Sequence, residues 1–167
     1  MYVRPITEID YPAFYELSLK LDKETSFRLY EPDERPHNPA LFARETAGFM
    51  KNPHNNIFLA VRNDLLVGYL QAIGRSARRI RHVVSINVAI LQAYTGRGIG
   101  ARLFAVTEEW ARQKGVKRLD LSVMANNIPA QKLYDRLGFV KEGLKRGSMF
   151  VNGEYIDEFY MCKWLDD

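Results

Sequence analysis

Gly96-Arg97-Gly98-Ile99-Gly100 decides the reading of this chain because of what stands on either side of it. Upstream, Val83 to Leu91 is an apolar run of strand length. Downstream, Ile99, Leu103, Val106 and Trp110 recur four, three and four residues apart, the spacing of one helical face. A strand, a glycine-rich turn and an amphipathic helix in that order make an anion site. The first N–H groups of a helix lack intrahelical partners and lie at the positive end of its dipole. Without side chains at Gly96, Gly98 and Gly100 the backbone can approach a pyrophosphate closely, and Arg97 can add a charged contact.

Two other phosphate motifs compete. A Walker loop is excluded, because no Gly-Lys-Ser or Gly-Lys-Thr follows the turn. The dinucleotide fingerprint fits formally, with Asp120 at a suitable distance for a ribose contact. Context places this reading, an NAD-dependent oxidoreductase, behind. Gln92 to Thr95 separate the strand from the first glycine, Asp120 falls inside a strand, and a C-terminal hairpin replaces further parallel crossovers.

Working outward, Lys114-Gly115 ends the helix, and Leu119, Leu121 and Val123 alternate as a strand within Lys117 to Met124. Asn127 to Leu137 reads as a further helix closed by Gly138. The tail holds two β-rich runs, Phe139 to Val151 and Glu154 to Trp164, around Asn152-Gly153, a strong hairpin turn. Toward the N-terminus, Ile57 to Arg62 and Leu65 to Ile73 form a hairpin over Asn63-Asp64. Tyr2 to Ile6 suits an edge strand. Asp10 is placed to cap a helix bearing Phe14, Leu17 and Leu21, and Asn38 or Pro39 begins a second one after the proline-rich loop from Tyr30. Arg75, Arg78, Arg79, Arg81 and His82 cluster in a loop, read either as solvated or as an anion-binding patch.

The length of 167 residues suits one domain, residues 1–167, with its own core. A net charge of +4 favours anionic partners without choosing among them. One cysteine, Cys162, excludes an intramolecular disulfide, and the three histidines show no metal-ligand spacing, so no metal is expected. The longest uncharged segment falls short of the ~18 apolar residues of a membrane span, and no signal-peptide pattern opens the chain, so a cytoplasmic protein without a membrane partner is expected.

Two blocks carry a family resemblance. Val88 to Leu103, with the glycine turn at its centre, resembles the acetyl-CoA-binding segment of the GCN5-related N-acetyltransferases (GNAT). Asn127 to Tyr134, followed by Leu137-Gly138-Phe139, resembles that family's later strand-to-helix segment. The resemblance implies an α/β (α+β) fold, a mixed sheet of about six to seven strands with splayed central strands and about four flanking helices. It also implies direct attack of a primary amine, on a small molecule or a protein, on the thioester of acetyl-CoA. Val88, Ala89 and Ile90 would supply backbone groups to the pantetheine arm. Thr95, Gly96, Arg97, Gly98, Ile99 and Gly100 would form the phosphate turn, and Asn127 would hold the pantetheine amide or start the helix. Tyr134 would be the general acid for the departing thiolate. One departure stands out: the family commonly carries Gln or Arg where this chain has Thr95, so a long side-chain contact is missing and Arg97 is the candidate substitute.

The base stays unassigned among Ser85, Asn87, Asp157, Glu158 and His82. A non-catalytic acyl-CoA sensor is the alternative from a different class. Acetyl-CoA and an amine are the expected partners, nucleic acid ranks behind them, and a homodimer is compatible with the sequence.

Overall fold

The computed structural model describes residues 1–165. In chain order these form β1 (Tyr2–Pro5), α1 (Tyr11–Glu24), α2 (Pro39–Met50), β2 (Asn56–Arg62), β3 (Leu65–Gly74), β4 (Val83–Ile90), α3 (Ile99–Gln113), β5 (Arg118–Met124), α4 (Ile128–Arg136), β6 (Val140–Val151) and β7 (Glu154–Trp164). The strands make one sheet ordered β1-β2-β3-β4-β5-β7-β6. Both anticipated hairpins are present. Asn63 and Asp64 at φ 49° and 60°, and Asn152 and Gly153 at 52° and 84°, supply two successive positive φ angles, the twist a two-residue turn between antiparallel strands needs.

The sheet is buried on both faces, which is why β2 reads as an unbroken apolar run rather than an alternation. On one face, Phe14, Leu17 and Leu21 of α1, with Phe42 and Phe49 of α2 packed alongside, meet Ile57, Leu59 and Tyr69. On the other, Ile99, Leu103, Phe104 and Ala111 of α3 and Tyr134 of α4 meet Phe58, Leu70, Val84 and Leu121. No helix among the described residues is long and apolar enough to cross a membrane.

One expected cap is different. Asp10 precedes α1 but makes no capping bond to it. Its carboxylate instead accepts from Arg4 at 2.6 and 2.7 Å and from the Thr7 N–H and hydroxyl at 2.8 Å, because a single 3₁₀ turn over Glu8–Asp10 already leads into the helix. Arg4 holds that carboxyl well below the ordinary range. Asn38 does cap α2, accepting from the Leu41 N–H at 2.9 Å.

Every neighbouring pair of strands is antiparallel except β4 and β5. A single parallel pair leaves no doubly wound sheet, which removes the dinucleotide fold that the glycine turn alone could not exclude. That pair is also short: Val83, Val84 and Ser85 match Arg118, Leu119 and Asp120, and pairing then stops. β4 stays laddered to β3 as far as Ile90 and β5 to β7 as far as Met124, so each keeps its outer neighbour while a gap opens between them.

Candidate active site

The gap opens into a cavity of about 1860 Å³. A site for one small ligand usually occupies ~300–1,000 Å³, so this space suits two substrates at once. One arm is walled by Val88, Ile90, Gly98, Asn127 and Tyr134, the other by Phe14, Arg28, Arg35, Phe42 and Tyr69, and Asn87 and Ala89 of β4 lie between.

Strand chemistry orients the middle of the cavity. The Leu91 N–H bonds the Val67 carbonyl at 2.9 Å, and the register runs on as Ala89 opposite Tyr69 and Val88 opposite Leu70. Antiparallel bonding alternates, so the backbone of Ala89 is committed to β3 while the N–H and C=O groups of Val88 and Ile90 face the gap. At the end of β4 the turn delivers α3. Gly98 sits at φ +77° and Gly96 at φ +70°, and a β-carbon on either would meet nothing within 4 Å, so both border open space. The Arg102 N–H is bonded to the Gly98 carbonyl at 3.1 Å, which leaves the N–H groups of Ile99, Gly100 and Ala101 as the unpaired first turn. Gly100 has a different reason: a β-carbon there would come within 2.7 Å of Leu133 Cδ2, so its absence lets α4 pack against α3.

The structure brings Val88, Ala89, Ile90, Thr95, Gly96, Gly98, Ile99, Gly100, Asn127 and Tyr134 to one cavity, whereas Arg97 is not among the lining residues. The Arg97 guanidinium lies 5.9 Å from the centre of the Tyr94 ring. Thr95 spends its hydroxyl locally, donating to the Gln92 carbonyl at 2.9 Å. The turn therefore presents backbone rather than long side chains. Asn127 caps α4, its side chain accepting from the Ala130 N–H at 3.3 Å, and still lines the cavity.

Tyr134 is 7% exposed, packed between Phe104 and Phe139 with each ring centre 5.8 Å away. Burial pushes its phenol up to about 12. The group is protonated throughout the neutral range and available as a donor.

Among the base candidates, Asn87 and Glu158 line the cavity. Glu158 is held by Lys145 at 2.9 Å and Ser148 at 2.8 Å. Ser85 is bonded by Arg75 at 3.1 Å, Asp157 accepts from the Gly147 N–H at 2.7 Å, and His82 stacks on Trp164 beside a separate small cavity with Arg78 and Arg81. None of these three reaches the main space.

Several lining groups escaped the sequence reading. Lys132 and Arg136 stand one turn apart on α4, a basic pair that the i, i+4 spacing could have revealed. Glu24, at the end of α1, accepts from the Gln92 N–H at 2.8 Å and ties the N-terminal layer to the segment that leads into the glycine turn. Arg28, Arg35 and Tyr69 gather around buried Asp22. No spacing signals that last cluster, because its members come from a helix, a loop and a strand.

Residues 15–139 match the sequence profile of the Acetyltransferase (GNAT) family. The chain belongs to that family. It is 37% identical over 132 residues to the N-alpha-acetyltransferase RimI of Mycobacterium tuberculosis (strain ATCC 25618 / H37Rv), covering 78% of this chain and 77% of that protein. It is 30% identical over 102 residues to the L-amino acid N-acetyltransferase AaaT of Escherichia coli (strain K12), covering 59% of this chain and 61% of that one. A GNAT-family acetyltransferase of Streptococcus pneumoniae superposes with a TM-score of 0.91 at 24% identity, covering 98% of both chains. The GNAT fold, with its split β4–β5 pair, is thus the architecture of this protein.

Proposed function

We propose that this GNAT protein, residues 1–167 acting as one domain, is an acetyl-CoA-dependent N-acetyltransferase that brings donor and primary amine together in one cavity for direct transfer. The observation that carries the reading is the β4–β5 split meeting the N-terminus of α3: it places strand backbone, glycine turn and helix N–H groups along one wall. Acetyl-CoA supplies an activated acyl group and a thiolate leaving group. In this reading, the N–H groups at Gly98 to Ala101 hold the pyrophosphate, with Lys132 and Arg136 as the added positive charge nearby. The gap-facing backbone at Val88 and Ile90 orients the pantetheine arm and stabilises negative charge on the carbonyl oxygen. Asn127 keeps the start of α4 in place beside it.

Tyr134 faces the leaving sulfur as a hydrogen-bond donor. With its phenol at about 12 and an ordinary thiol near ~8.5, complete transfer to a thiolate is uphill in the resting protein. Its contribution is to stabilise charge as it builds, while the net proton originates on the attacking amine. The buried, unpaired Cys162 is in keeping with a reducing cytoplasm.

Titration calorimetry with CoA, combined with acetyl transfer measured over a panel of amines, tests this. CoA should bind to wild type and to Tyr134→Phe alike, while the substitution lowers kcat by ~10²-fold or more. Absence of CoA binding would overturn the reading, and an unchanged kcat would remove Tyr134 from it.

A further inference from the structure

The second arm of the cavity has a charged wall that the transfer chemistry does not use. Asp22 of α1 is 2% exposed and does not itself line the cavity, whereas Arg28 and Arg35 do. Arg28 Nε donates to Asp22 Oδ1 at 2.7 Å, and Arg35 donates to the same carboxylate from Nε at 2.6 Å and from Nη2 at 3.3 Å. Arg28 Nη1 donates to the Tyr69 hydroxyl at 2.9 Å. Two guanidiniums thus share one carboxylate that stands behind them, and the cavity meets the unbalanced positive charge. Arg28 Nη2 and Arg35 Nη1 make no hydrogen bond to the described residues. The other carboxylates on the cavity wall do not neutralise the arginines: Glu24 is bonded to Gln92 and Glu158 to Lys145 and Ser148, and neither Glu45 nor Asp135 pairs with either guanidinium.

Position connects this cluster to the reaction centre. Tyr69 is directly opposite Ala89 in the β3–β4 ladder, so Arg28 stands one tyrosine side chain from the strand that flanks the split. The space beside it is aromatic: Phe14 packs edge-on to Tyr69 at 5.0 Å and against Phe42 at 5.3 Å, and Arg35 lies over Tyr30 at 4.7 Å. A nearly buried fork of arginine donors with spare N–H groups is the complement of a planar carboxylate, and the rings around it suit an apolar body.

Resting on the transferase reading, we propose that Arg28 and Arg35 form a carboxylate subsite, making the acceptor a free amino acid with an apolar or aromatic side chain rather than a peptide N-terminus. The carboxylate docks on the guanidiniums, the side chain lies among Phe14, Phe42 and Tyr30, and the α-amine reaches the split at Asn87 and Ala89. A peptide N-terminus puts a neutral amide where the carboxylate belongs and leaves the spare donors without their ion.

Matched ligands test this in the intact protein. With acetyl-CoA saturating, kcat/KM for L-phenylalanine should exceed that for L-phenylalaninamide and for phenethylamine by ~100-fold or more. The amide has the less basic amine and so offers more of the reactive free base, which biases the comparison against the proposal. Independently of turnover, calorimetry on the CoA-loaded protein should show 3-phenylpropionate binding at least ~10-fold more tightly than 3-phenylpropanamide. Arg35→Gln and Arg28→Gln should each abolish that preference while CoA affinity stays unchanged. Equal use of the amide, or equal binding of the two probes by wild type, overturns the subsite even if acetyl transfer to other amines is robust. In that event the transferase reading survives. If the arginines serve only to brace the fold, the substitutions lower Tm and leave the preference as it was in wild type, which also overturns it.

Discussion

The two arms of the cavity are built by different means. The arm proposed for the donor is made of main chain: a strand whose gap-facing groups lost their partner at Ser85, a turn with two glycines at positive φ, and the unpaired first turn of α3. The arm proposed for the acceptor is made of side chains: Asp22, Arg28, Arg35 and Tyr69 meet from α1, the loop after it and β3. A backbone site tolerates change in the side chains around it, as Thr95 shows by turning its hydroxyl onto Gln92 without disturbing the turn. A side-chain site depends on each member, because removing a charged one leaves its partners nearly buried without their counterion.

The largest expected effect follows from that dependence. Asp22→Asn keeps the shape of the side chain but leaves two nearly buried guanidiniums, with side chains 11% and 14% exposed, facing each other without their shared charge. Breaking a buried ion pair from one side costs ~3–5 kcal/mol, so urea or thermal unfolding should show a loss of that order. A loss below ~1 kcal/mol, the range of surface pairs, would mean that water already screens the cluster and would erase the contrast between the arms.

Tyr134 is the exception within the donor arm, a side chain to which the proposed chemistry assigns a role, and it yields a pH test. Burial raises its phenol from 10.0 to about 12. Between those values the unfolded chain has released this proton and the folded chain has not, so the stability the group contributes is complete below pH 10 and is lost as pH climbs through about 12. Two pKa units correspond to ~2–3 kcal/mol. Unfolding of wild type and Tyr134→Phe measured across pH 8–12 should show a steeper alkaline decline in wild type; parallel curves would mean the hydroxyl is hydrated in the folded protein.

The same contrast explains what could be read from the sequence. Glycine spacing, the strand and helix periods around it, the Asn127 cap and the Leu137-Gly138-Phe139 helix end are local, so the strand, turn and helices of that arm and both hairpins were legible residue by residue. The Asp22 cluster was not, since Arg28 and Arg35 lie 6 and 13 residues from Asp22, Tyr69 lies 41 from Arg28, and no period connects a helix, a loop and a strand. Asp10 misled for a related reason: its sequence position suited a cap, but Arg4 on the neighbouring strand offered an ion pair with two short bonds, and charge-assisted pairing outweighs a cap. Arg97 shows the limit of reading a motif by type, because a cation inside the glycine turn was drawn to the Tyr94 ring instead of the cavity.

The smallest effect gives the most direct test of a main-chain donor site. Gly98 and Gly115 flank α3, at φ +77° and +72°, and at both a β-carbon would meet nothing within 4 Å. Gly98 lines the cavity, whereas Gly115 borders the separate small one near His54. Alanine at either position therefore carries the same left-handed backbone strain, ~1–2 kcal/mol, without a steric clash. Gly98→Ala and Gly115→Ala should consequently lose similar stability. Their CoA affinities should part: the methyl at Gly98 stands in the open space through which a phosphate approaches the N–H groups of Ile99 to Ala101, while the methyl at Gly115 touches nothing the donor uses. A fall of ~10-fold or more in CoA affinity for the first and none for the second assigns the phosphates to the backbone of the turn. Equal affinities would shift the phosphate contacts onto Lys132 and Arg136, and the donor arm would then be built from side chains like its neighbour.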